Sequence, residues 1–151
     1  MKQNKVVAER VTAIVPIAEG QVMATANGNN TGAMIRGIRM SDLANKAQTG
    51  TRIYGKELSK IKDGELVAGA SLTRALRVTM GDNISLVSAN NATPTPFGSM
   101  PRIMSYPVMS SFFMGMYEYD SGYIFMPLET AQKYLNIPNS VTHIDLFLDN
   151  P

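Results

Sequence analysis

The chain has 151 residues, 44% of them hydrophobic and 17% charged, with a net charge of +2; this suits one domain, or two small lobes sharing strands, and excludes two large ones. No run approaches the roughly 20 apolar residues that span a bilayer, and the basic residues interleave with acids, which argues against nucleic acid as a partner. Cysteine is absent, so disulfides, thiolate nucleophiles and cysteine zinc sites are excluded together, and the N-terminal MKQNKVVAER lacks the apolar core of a signal peptide, so any export would be directed by residues outside this sequence.

In chain order, Lys5–Ala18 is rich in β-branched residues and predicts a strand that Pro16 ends or borders. Gln21–Ala26 and Ala33–Ile38 predict two more strands, a hairpin around the Asn/Gly-rich turn of residues 27–32. Ser41 and Asp42 offer an N-cap to a short helix through Ala47, and Lys56–Ile61 has the makings of one helical turn. The clearest unit is Glu65–Ser88: a brief strand into Gly69, a helix with Leu72, Ala75 and Leu76 on one face, a Gly81-Asp82-Asn83 turn and a strand. Ile103–Phe113 is a further strand in which Pro107 calls for an edge or a bulge, and Gly115–Gly122 reads as a solvated turn. Tyr123–Met126 is a strand, Pro127 opens a helix with Leu128, Ala131, Tyr134 and Leu135 on its apolar face, and Val141–Leu148 alternates as a half-buried strand. Many strands with two or three short helices and no βαβ repetition make a single α+β domain.

Between the strands at 84–87 and 103–113 lies NNATPTPFGSMPR, residues 90–102. Pro94, Pro96 and Pro101 forbid a central strand and favour a stiff, extended hairpin loop, while Phe97 and Met100 give it large apolar side chains. Such a loop either plugs its own core or docks into another molecule. Six methionines from Met100 to Met126 crowd the same region; they read as adaptable core filler or as part of a partner surface.

No catalytic constellation is present. His143 is the one histidine and sits in a strand pattern with neither nucleophile nor orienting group implied. Glu118 and Asp120 lack the further oxygen ligands of a calcium loop, and neither phosphate-binding glycine motif occurs, so no cofactor is expected.

Three passages together carry a family resemblance. ELVAGASLTRALRVTMGDNISLVS (65–88) and TGAMIRGIRMSD (31–42) resemble the periplasmic core domain of permeases of the macrolide-exporter superfamily of ABC transporters. The proline loop followed by SYPVMSSFFMGMYEYDSGYIFMPLETAQKYL (105–135) is similar to the lipoprotein-releasing permeases of the LolC and LolE type in particular. The resemblance implies a strand-rich periplasmic lobe of an inner-membrane permease, with 5–18 and 141–148 leading to a membrane-proximal lobe. It implies no enzyme activity in this part, with ATP hydrolysis on a separate cytoplasmic subunit and a partner permease in the assembled transporter. By the same resemblance, a protruding loop captures a LolA-like periplasmic lipoprotein chaperone, and lipoprotein is the substrate passed on. The matching positions are Pro94, Thr95, Pro96, Phe97, Gly98, Ser99, Met100, Pro101 and Arg102. Basic residues beside the family's loop are reduced here to Arg102, since Ile103 and Met104 follow it. An exporter-type domain docking an adaptor protein in an efflux pump is the alternative reading of the same fold.

Overall fold

A computed structural model describes residues 11–46, 50–95, 98–137 and 139–148. Its first element, β1 (Val11–Ala26), is a single 16-residue strand that runs through Pro16 and merges the two strands expected there. The proline ends nothing because its missing donor is not needed. Ile17 directs its carbonyl towards β8 (His143–Leu148), accepting from the N–H of Thr142 at 2.8 Å. Alternation along the strand therefore turns the Pro16 nitrogen to the other side, beyond Ile38, where β2 (Asn29–Ile38) has ended. There the Arg39 guanidinium donates to the Ile14 carbonyl at 3.2 Å and takes over the free edge.

β1 and β2 are joined by Asn27 and Gly28, both at positive φ (54° and 78°), the geometry a two-residue hairpin prefers. Asn27 also reaches out of the turn: its side-chain amide donates to the carbonyls of Leu76 (3.0 Å) and Arg77 (2.8 Å). It thereby satisfies open carbonyls at the C-terminal end of α2 (Ala70–Leu76).

The remaining strands are β3 (Arg52–Gly55), β4 (Leu66–Gly69), β5 (Asn83–Thr95), β6 (Gly98–Phe113) and β7 (Tyr123–Met126). Pairing follows β2-β7-β4-β6-β5-β1-β8, and β2 also pairs with β1, so six strands form a closed ring of ladders. β3 hangs on β6 and β8 on β1. The other helices among the described residues are α1 (Met40–Lys46), α3 (Tyr117–Gly122) and α4 (Leu128–Leu135), with one 3₁₀ turn at Leu58–Lys60. The α+β class read from the element pattern is borne out.

Alternation along the short strands sends side chains to two cores. Leu66, Ala68, Ile124 and Met126 join Leu72 and Leu76 of α2 and Ala131, Tyr134 and Leu135 of α4. Val67 and Phe125 point the other way, to Phe112, Ile17, Ile38, Leu43 of α1 and Leu58. Covered on both faces, β4 and β7 read as unbroken apolar runs rather than alternating ones. Helix α4 lies so close to β2 that a Cβ on Gly37 would stand 2.2 Å from the Cβ of Ala131, which explains the glycine inside the Ile35–Ile38 strand.

The solvated turn expected at 115–122 is corrected. Residues 117–122 form α3, and Asp120 is buried, 3% exposed. Its two carboxylate oxygens accept the N–H groups of Met114 (2.7 Å) and Gly115 (3.0 Å), so the acid serves the backbone rather than solvent.

Candidate functional site

The proline-rich segment closes the β5–β6 hairpin. Near its root the hairpin belongs to the larger sheet: Met23, Ala24 and Thr25 of β1 pair with Val87, Leu86 and Ser85. These three in turn pair with Ile103, Met104 and Ser105 of β6. Past Ser88, which faces Arg102, β5 and β6 pair only with each other among the described residues. The ladder then slips, so that residues 89–92 stand against Pro101 alone before Thr93 pairs with Met100. Pro94 faces Ser99 and Thr95 faces Gly98. In a ladder of two strands each proline has a side with no partner to satisfy, so Pro94 and Pro101 sit within strand geometry that a central position would deny them. Pro96 and Phe97 lie outside the described residues, as do the side chains of the other expected contact positions from 94 to 101.

Arg102 marks the root, not the tip. Across the ladder from it stands buried Ser88. Beneath both, the hydroxyl of Tyr134 on α4 donates to the Leu86 carbonyl at 3.0 Å, with the Arg102 carbonyl at 3.4 Å. Burial pushes the Tyr134 phenol up to about 12; Tyr106 adds to the rise, and the charge of Arg102 and a hydrogen bond with Ser88 oppose it. Burial also raises Tyr106, again against Arg102. The guanidinium is thus close enough to both phenols to act on them, and its Nε is buried without a hydrogen-bond partner among the described residues.

The opposite face of the root presents something the sequence reading missed. Met23, Val87 and Ile103 are direct neighbours across three strands and share one face. Ile103 is 58% exposed and Met23 45%, giving a short apolar row beneath the hairpin. The available signal was strand alternation: Leu86 points inward, so Val87 and its partners point out.

For chemistry the hairpin offers backbone edges and, at its root, the exposed apolar row, which suit docking. Among the described residues no group of three or more histidine, aspartate or glutamate side chains converges as a metal site. The side chain of His143 lies outside the described residues. Among them, no helix is long and apolar enough to cross a membrane.

No protein-family model matches the chain. It is 29% identical over 147 residues to the lipoprotein-releasing system transmembrane protein LolC of Xylella fastidiosa (strain Temecula1), covering 92% of this chain and 33% of that protein. To the LolC of Neisseria meningitidis serogroup B it is 22% identical over 143 residues, covering 93% and 34%. The chain spans about a third of the length of these curated relatives. Two solved structures share its fold: the extracellular domain of the noncanonic ABC-type transporter YknZ from Gram-positive bacteria and the periplasmic region of MacB from Actinobacillus actinomycetemcomitans. Each has a TM-score of 0.62 and 11% identity over 99% of this chain, and the match covers 70% and 62% of those chains respectively. The resemblance to LolC-type lipoprotein-releasing proteins read in the sequence is borne out over nearly the whole chain, on a fold shared with the extracytoplasmic parts of ABC-type transporters.

Proposed function

We propose that the chain is the periplasmic domain of a lipoprotein-releasing ABC transporter permease of the LolC type, and that its β5–β6 hairpin recruits a LolA-like lipoprotein chaperone. The family part is supported by sequence similarity to LolC proteins over 92–93% of the chain. The hairpin part is supported by one observation above all: past Ser88 and Arg102 the ladder narrows to two strands with no third strand on either edge among the described residues. Prolines at 94, 96 and 101 stiffen that ribbon and lower the entropy lost on docking. Phe97 and Met100 supply the apolar anchors, while Arg102 acts from the root, where its charge lies near Tyr106 and Tyr134. In the assembled transporter this domain receives lipoprotein on the periplasmic side of the inner membrane, and a partner permease and a separate cytoplasmic ATPase subunit complete the machine. Val11 and Leu148 are partners across the β1–β8 ladder, which suits the segments 5–18 and 141–148 as the connection to a membrane-proximal lobe.

The test is capture of the cognate chaperone by the immobilised chain. Phe97→Ala with Met100→Ala removes two anchors and weakens capture by about 100-fold. Unchanged capture overturns the hairpin assignment, and capture of an efflux adaptor in place of the chaperone moves the chain to the macrolide-exporter type.

A further inference from the structure

On the face of the sheet away from α4 is a cavity of about 170 Å³. Its floor is Val67, Phe112 and Phe125, all buried on three neighbouring strands. The two phenylalanine rings meet edge to face with centroids 5.2 Å apart, which fixes the floor in place. Ile53 of the edge strand β3 and Leu58 of the 3₁₀ turn form walls. Met114 and Met116 form the rim, and Met116 is 51% exposed. The buried Asp120 carboxylate takes the N–H groups of Met114 and Gly115 and so fixes the path of the turn that carries the rim.

Size and charge decide what fits. A dry apolar cavity of about 150 Å³ accepts a benzene ring, so this one has room for a group of that order. Among the described residues, Arg36 is the one charged side chain in the lining. Its Nε is paired with Glu19 at 2.5 Å and its guanidinium lies over the Tyr123 ring, 5.0 Å from the centroid. With that charge already matched, an anionic ligand would have to compete with Glu19, whereas a neutral one leaves the pair intact. The thioethers of Met114 and Met116 adapt to an apolar guest of variable shape.

We infer that this cavity binds a neutral apolar group the size of one aromatic ring or a short alkyl chain. The site is separate from the hairpin and does not depend on what the hairpin captures.

The whole chain carrying ¹³C-labelled methionine methyls is titrated with toluene, hexan-1-ol and hexanoate. The two neutral probes produce saturable shifts at Met114 and Met116, and hexanoate at the same concentrations produces none. Ile53→Trp, which fills the cavity from the edge strand, weakens toluene binding by about tenfold or more while the buried Met126 methyl keeps its native position. If that variant loses the native spectrum, Leu58→Phe fills the cavity from the 3₁₀ turn and is read in the same way. Absence of saturable shifts with both neutral probes overturns the inference. So does hexanoate binding as tightly as hexan-1-ol, or a natively folded cavity-filled variant that binds toluene as the wild type does.

Discussion

Tyr134 on α4 donates its hydroxyl to the carbonyl of Leu86 on β5 across 3.0 Å, with 1% of the tyrosine exposed. That hydroxyl thus ties a helix packed on β1 and β2 to the root of the hairpin. Tyr134→Phe keeps the ring and removes the hydroxyl with its hydrogen bonds, costing about 1 kcal/mol. The midpoint of thermal unfolding falls by about 3 °C at neutral pH.

The same phenol makes stability depend on alkaline pH. Its pKa is raised from 10.0 in the unfolded chain to about 12 in the folded one, so the folded state holds the proton more tightly. The stabilisation is complete below about pH 10 and is lost as pH rises towards about 12. Circular dichroism melts across that window show a fall in midpoint that is shallower in Tyr134→Phe than in the wild type. It does not vanish, because burial also raises Tyr106 and Tyr123.

Gly69 is the N-cap of α2, and a Cβ there would stand 2.1 Å from the carbonyl oxygen of Asp120 and 2.6 Å from its carbonyl carbon. Both are backbone atoms, so no side chain can swing away. Gly69→Ala forces α2 and α3 apart and destabilises the domain by about 3 kcal/mol. Urea unfolding measures this as a shift in midpoint with little change in slope.

Asp120→Asn tests the turn that rims the cavity. One of the two N–H groups now held by carboxylate oxygens meets an amide NH₂ instead, leaving a buried donor without an acceptor. The cost is about 2 kcal/mol. The amides of Met114 and Gly115 exchange with deuterium faster relative to global unfolding than they do in the wild type.

Local patterns were legible and long-range ones were not. The unit from Glu65 to Ser88 was readable because each boundary is a local device. Gly69 permits close packing, Gly81 takes φ +96°, and Asp82 accepts the Thr79 N–H at 2.9 Å to close the turn. The passage of β1 through Pro16 was not readable, since it depends on β2 ending one residue short and on Arg39 covering the gap, facts of register between distant segments. Helix α3 was hidden for a similar reason: Tyr and acid residues suggest a wet turn until Asp120 is seen turned inward to Met114 and Gly115. At the hairpin, the prolines correctly announced a segment unfit for a central strand. The apolar row Met23, Val87, Ile103 required knowing that β1 and β6 flank β5.

The most direct test of the proposed role places a photo-crosslinking amino acid at residue 97 or 100 of the hairpin and, for comparison, at Tyr117 of α3, which is 81% exposed and off the hairpin. On illumination with the LolA-like chaperone, positions 97 and 100 are expected to give the crosslinked complex and position 117 to give none. Crosslinking from 117 with none from 97 or 100 would contradict the hairpin as the docking element.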